Sequence, residues 1–213
     1  KLMTSVVMPD SILAIGNSAF AYSQLTSVNI PSSVVFIDSS AFRNNQITSV
    51  TIGNNVASIG DWAFGGNQLT SVVIPDGVVT IGDAAFNFNL ITSVTIGNNV
   101  ASIGDGAFAN NQLTSVVIPD GVVMIGGKAF RNNQLTSVVI PESVTTIYTM
   151  AFADNHLTSV TIPNSIVNLS TRIFEYNNLT SVVIPDGVVT IGAEAFSHNK
   201  LASLTIPASV TNI

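Results

Sequence analysis

The chain has 213 residues, of which 46% are hydrophobic and only 8% are charged. This apolar share is ample for a folded core and argues against disorder. Six basic and twelve acidic residues give a net charge of -6, so the chain lacks the cationic surface needed for nucleic acid. The absence of Cys excludes disulfides, thiol nucleophiles and cysteine-ligated metal sites, and no apolar run is long enough to predict membrane insertion.

A Phe recurs at every twenty-second residue along the whole chain. These residues are Phe20, Phe42, Phe64, Phe86, Phe108, Phe130, Phe152, Phe174 and Phe196. The sequence therefore predicts nine 22-residue repeats over residues 3–200, with a partial tenth, in one solenoid domain over residues 1–213. Because the chain begins in repeat register without an initiator Met and stops within a repeat, we interpret it as a fragment of a longer protein.

Within each repeat, the segment represented by Ser71–Ile74 has the pattern of a strand. Its residues are largely β-branched, and Val72 and Ile74 lie two apart, so both point inward. A single turn cannot bury its apolar columns without neighbours above and below. We therefore predict a β-rich right-handed solenoid with a parallel sheet along one concave face.

The rest of the repeat predicts turns and a second short extended segment. Pro75 lacks an N–H and ends the strand, and Val78 to Ile81 form the second extended piece. Asp83 follows Gly82 and precedes an x-Ala-Phe triplet, which is typical of an N-cap before a helical or 3₁₀ turn.

One polar column of the repeat is filled almost entirely by Asn. Its members are Asn45, Asn67, Asn89, Asn111, Asn133, Asn155, Asn177 and Asn199, with Ser23 as the exception. An amide both donates and accepts, so it can pair backbone groups of adjacent turns that would otherwise be buried without partners. The pattern predicts an asparagine ladder with a structural role.

With the order L-x-x-V-x-I-P-x-x-V-x-x-I-G-x-x-A-F in place, as in residues 113–130, the chain resembles the BspA-like leucine-rich repeats, also called the Treponema pallidum type. The resemblance covers the whole chain. That family usually has a 23-residue unit with Cys shortly before the next Leu, whereas this chain uses 22 residues and Asn. The resemblance implies a secreted or surface-anchored microbial protein, a role in adhesion or host-protein binding, and no catalytic residues.

Few residues suggest chemistry. His156 and His198, the two imidazoles, fall in different columns, so neither a shared metal nor a triad is expected, and both are assigned to exposed loops. An acidic column follows Pro in several repeats, and it is interpreted as turn-stabilising, with cation attraction by neighbouring acids as the alternative. Its members include Asp76, Asp120, Glu142 and Asp186. We predict no enzyme, no metal site and no cofactor.

The outward positions of the predicted strands form an uncharged strip of Ser, Thr and Val, a composition that suits either a binding face or an ordinary solvated sheet. We predict binding through Ser49, Thr51, Ser71, Val73, Ser93, Thr95, Ser115, Val117, Ser137 and Val139. These ten residues are called the Ser/Thr/Val strip below.

The leading hypothesis is a non-catalytic binding or adhesion module, extracellular or at the cell surface. Its partner would be a protein or glycan, with host extracellular proteins among the candidates, and binding should survive salt because the strip is uncharged. The alternative is an ice- or surface-lattice-binding solenoid that uses the Thr and Ser ranks. The open ends of the stack predict either flanking repeats in a longer protein or end-to-end association of copies.

Overall fold

The computed structural model describes residues 3–213 as a stack of turns joined by parallel β-pairing. The strands in chain order are β1 (Ala14–Ile15), β2 (Ser27–Asn29), β3 (Phe36–Ile37), β4 (Ser49–Thr51), β5 (Ser58–Ile59), β6 (Ser71–Val73), β7 (Thr80–Ile81), β8 (Ser93–Thr95), β9 (Ser102–Ile103), β10 (Met124–Ile125), β11 (Thr146–Ile147), β12 (Ser159–Thr161), β13 (Asn168–Leu169), β14 (Ser181–Val183) and β15 (Thr190–Ile191). The predicted leucine-rich repeat solenoid is confirmed.

Two columns of each repeat supply the strands. The second extended segment forms the longest sheet, of seven strands in the order β1-β3-β5-β7-β9-β10-β11, each displaced from the next by one repeat. The Ser-Val-x column forms the pairs β2-β4, β6-β8 and β12-β14, and bridges join Val117 to Val139 and Val139 to Thr161. Parallel pairing on this face is confirmed, but the longer continuous sheet lies on the other strand column.

The seven-stranded sheet ends before the turn in which Ser170 replaces the usual Gly. In regular turns the Gly N–H donates to a carbonyl of the preceding turn, as Gly104 does to Ile81 at 2.8 Å. Ser170 stands in the Gly column, and its hydroxyl donates to the equivalent carbonyl, that of Ile147, at 2.5 Å. A side chain thus occupies the acceptor that the backbone ladder would use, and β13 pairs only with β15.

The predicted helical or 3₁₀ turns are wrong: residues 3–213 contain hydrogen-bonded turns but no helix, and hence none that could span a bilayer. The residue after Asp in the turn is left-handed, with φ of 57° at Trp62 and 52° at Ala84, which interrupts any right-handed helix at its first residue. The Asp side chain is not an N-cap either. Asp83 Oδ1 accepts the N–H of Asp105, one turn further along, at 2.7 Å.

The core is an axial stack of identical columns. The nine Phe rings lie parallel within 14°, with neighbouring centroids 5.2 to 6.0 Å apart. Ile, Leu, Val and Ala columns surround them, and most are fully buried. Offset-stacked rings add to the free energy gained from burial, so the Phe column both fills the core and aligns the turns.

The asparagine ladder is confirmed. In Asn111, Oδ1 accepts the N–H of Ile91 at 3.0 Å, and Nδ2 donates to the carbonyls of Phe86 and Phe108 at 3.0 and 3.1 Å. The equivalent bonds recur for the other seven Asn residues of the column, from Asn45 to Asn199. Each amide joins two turns at backbone groups that the strands do not reach.

Replacing Asn111 with Ala should destabilise the protein by about 3 kcal/mol, because it leaves buried N–H and C=O groups without partners. The midpoint of thermal unfolding, followed by circular dichroism, should fall by on the order of 10 °C. Asn55→Ala, at an exposed Asn, is the control and should change the midpoint by little. Equal midpoints for the two variants would contradict a structural ladder.

Gly82 offers a second test because the turns approach closely there. A Cβ at Gly82 would lie 2.7 Å from the backbone N of Asp61, whereas a Cβ at Gly16, in the first turn, would meet nothing within 4 Å. We expect Gly82→Ala to cost about 2 kcal/mol in urea unfolding. Gly16→Ala should be neutral or stabilise slightly, because it restricts the unfolded chain. A destabilisation shared by both variants would show that close packing is not the cause.

Candidate binding face

The strand alternation that buries the core also fixes what faces solvent on the Ser-Val-x column. In β6, Val72 is buried between the exposed Ser71 and Val73. The same pattern places every member of the Ser/Thr/Val strip in solvent. The predicted exposure is therefore confirmed for all ten residues, while their binding role stays a prediction.

Large apolar side chains are prominent on this face. Val117 and Val139 are 79% and 76% exposed, and a parallel bridge places them side by side on adjacent turns. Val73 and Val183 are exposed to a similar degree. These exposed valines lie side by side on a nearly uncharged surface. Their apolar area is removed from water only when a partner covers it.

A shallow groove of about 640 Å³ runs along one edge of the strip. Its lining includes the apolar Val117, Val139 and Pro141 and the acidic Asp120 and Glu142. A second groove of about 630 Å³ lies between the Val73 and Thr95 turns, next to Asp76. The acidic column therefore belongs to the rim of the strip, a proximity that was not predicted from the sequence.

The turn-stabilising role of the acidic column is observed directly at Asp76. Its Oδ1 accepts the N–H of Asn98, one turn further along, at 2.7 Å. Glu142 makes a weaker contact, accepting from the amide of Asn164 at 3.3 Å. Within residues 3–213, no group of three or more His, Cys, Asp or Glu side chains is arranged to hold a metal ion.

The two histidines are exposed and separate, as predicted. His198 stacks on Tyr176 of the preceding turn with a centroid distance of 4.1 Å, whereas His156 lies in another column. Near this stack, Arg172 donates to both carboxylate oxygens of Glu194 at 2.8 and 3.0 Å. That hydrogen bond raises the pKa of Arg172 and lowers the pKa of Glu194. The arrangement is a surface ion pair, with no feature of a catalytic site.

Sequence reasoning also missed a polar depression of about 400 Å³ on another side of the solenoid. Its floor is formed by the buried Gly106 and Ala109, which stand where neighbouring turns carry larger side chains. Asn87 lies on one wall, and Lys128 and Arg131 lie on the other. The sequence signal for this depression was the presence of two small residues, Gly106 and Ala109, in one repeat. Arg131 is paired with Asp154 at 2.7 Å.

Comparison with known proteins agrees with this architecture. The family model described as "BspA type Leucine rich repeat region (6 copies)" matches residues 1–114 and 101–213. A search of curated proteins gives no significant match.

Solved structures also share the fold. The pneumococcal vaccine antigen PcpA has a TM-score of 0.72 and 22% identity, over 93% of this chain and 57% of that one. A leucine-rich repeat protein of Eubacterium ventriosum has a TM-score of 0.55 and 26% identity, over 78% of this chain and 55% of that one. The chain thus spans little more than half the length of either protein.

Proposed function

Because the chain belongs to the BspA-type leucine-rich repeat family, whose members serve as interaction modules, we propose that it is a non-catalytic binding or adhesion module. The contact face is the Ser/Thr/Val strip. Its partner is a protein or a glycan, and its place is the cell surface or the extracellular space. Host extracellular proteins are candidate partners.

The observation that carries the proposal is the exposed pair Val117 and Val139. A parallel bridge holds the two valines side by side, and both line the groove together with Pro141. A fold that stacks identical turns presents the same outward side chains at a regular spacing, which suits an extended partner. Burying apolar area on such a face stabilises a complex without charge pairing, so this contribution should survive added salt.

Recognition of an ice or mineral lattice is less well supported. Several threonine hydroxyls beside the strip are already used within the protein: Thr48 and Thr92 donate to the carbonyls of Thr26 and Thr70, each at 3.2 Å. The outer strand column also mixes Thr with Val instead of forming a continuous Thr rank. A measurement of thermal hysteresis distinguishes the two functions. End-to-end association of copies stays a prediction.

The strip can be tested with Val117→Lys/Val139→Lys, which introduces two long charged side chains at the centre of the face. Binding of the labelled protein to a glycan array and to immobilised extracellular-matrix proteins should fall about tenfold or more, since central apolar contacts dominate interfaces. Val79→Lys/Val123→Lys is the control, because these valines are also exposed but lie directly before β7 and β10 of the other strand column. The proposal fails if the strip variant binds like the wild type or if both variants lose binding equally.

A further inference from the structure

In every turn, the residue at the outward position occupied by Val73 in β6 varies together with the residue three positions later, which belongs to the acidic column. Five turns combine an exposed Val with an acid: Val7 with Asp10, Val73 with Asp76, Val117 with Asp120, Val139 with Glu142, and Val183 with Asp186. The other five combine a polar residue with a neutral one: Asn29 with Ser32, Thr51 with Asn54, Thr95 with Asn98, Thr161 with Asn164, and Thr205 with Ala208. No turn mixes the two types.

The coupling also holds in turns that differ from one another at other positions. The turn with Val139 continues Pro-Glu-Ser-Val-Thr, where the turns with Val73 and Val117 continue Pro-Asp-Gly-Val-Val. The turn with Thr161 keeps Pro163, unlike the Gly in the turns of Thr51 and Thr95. These repeats differ elsewhere, and yet each combines Val with an acid or Thr with a neutral residue.

Two turns of the Val-acid type are adjacent only at Val117 and Val139, and there the structure forms the groove described above. Val117 and Val139 supply exposed apolar surface, and Asp120 and Glu142 line the same groove, one repeat apart in the sequence. The groove thus brings two acidic residues together with an apolar surface that a partner can cover.

These carboxylates are not neutralised within the part of the chain that the structure describes. Its ion pairs join Arg131 to Asp154 and Arg172 to Glu175 and Glu194, all on another side of the turns. Like charges on adjacent turns repel each other, which disfavours the fold slightly. Glu142 accepts one hydrogen bond from Asn164 of the next turn, but no basic side chain of the described residues pairs with either carboxylate, so their charge is complementary to a cation from outside.

We propose that the groove at Val117 and Val139 binds a protein segment in which an apolar side chain is flanked by Lys or Arg. The apolar side chain packs between the two valines and Pro141, and the cation pairs with Asp120 and Glu142. This inference rests on the proposed function and narrows its partner to a cationic protein segment. Neutral glycans leave the carboxylates unpaired, and acidic glycans are repelled by them.

The test measures fluorescence anisotropy with labelled, end-blocked peptides of alternating Lys and Val, Glu and Val, or Lys and Ser. The Lys-Val peptide should bind the wild type most tightly, and added salt should weaken it only in part. Asp120→Asn/Glu142→Gln should weaken the Lys-Val peptide about threefold to tenfold, as expected for two exposed ion pairs. Asp38→Asn/Asp61→Asn removes the same charge at two other columns of the repeat and should have little effect.

Val117→Thr/Val139→Thr tests the apolar part of the groove. The variant should fold, because Thr already occupies this position in other turns of the chain. It should also weaken the Lys-Val peptide. The inference is overturned if the Lys-Ser or Glu-Val peptide binds as tightly as Lys-Val, or if the two acid-removing variants behave alike. If glycan or matrix binding still depends on the valines in that case, the proposed function stands and only the cationic partner is excluded.

Discussion

The amide of the asparagine column is the contact on which the stacking of turns depends. No turn has a core of its own, so every turn must be held in register against its neighbours. Asn89 illustrates how this is done: it accepts the N–H of Leu69, where one repeat begins, and donates to the carbonyls of Phe64 and Phe86. Fixing these points on two successive turns also fixes the overlap of their Phe rings. A hydrophobic column alone would allow the turns to slip along or around the axis.

The left-handed residues complete the inter-turn bonding at a cost in backbone strain. Each regular turn has two such positions, and sixteen of them are held by residues other than Gly, with φ between 51° and 59°. This conformation points N–H groups along the axis: Ala84 donates to the carbonyl of Asp105, and Phe88 donates to that of Ala109. Strain of about 1 kcal/mol at each such residue is offset by the inter-turn hydrogen bond that its N–H gains.

The periodic features were predictable because residues 22 positions apart in the sequence lie above one another in the stack. Val72 inward, Val73 outward and the asparagine ladder all follow from that single rule. Local signals were less reliable: Gly82-Asp83 before Ala85-Phe86 matches a helix N-terminus, but the next turn takes the Asp carboxylate and Ala84 adopts a left-handed conformation. The sheet break at Ser170 and the groove beside Val139 depend on which atoms meet across turns, information that a single repeat does not contain.

Columns that do not take part in stacking are free to vary with function. Positions facing the core vary little in size because Phe, Ile and Asn must match their copies above and below. The strip position is under no such constraint, and exposed Thr would serve a solvated sheet as well as exposed Val does. Five turns nevertheless place Val there, each with an acid three residues later. The hydrogen bonds that Asp76 and Glu142 make to the next turn do not involve the exposed Val, so the proposed partner, which meets both residues, would account for their coupling.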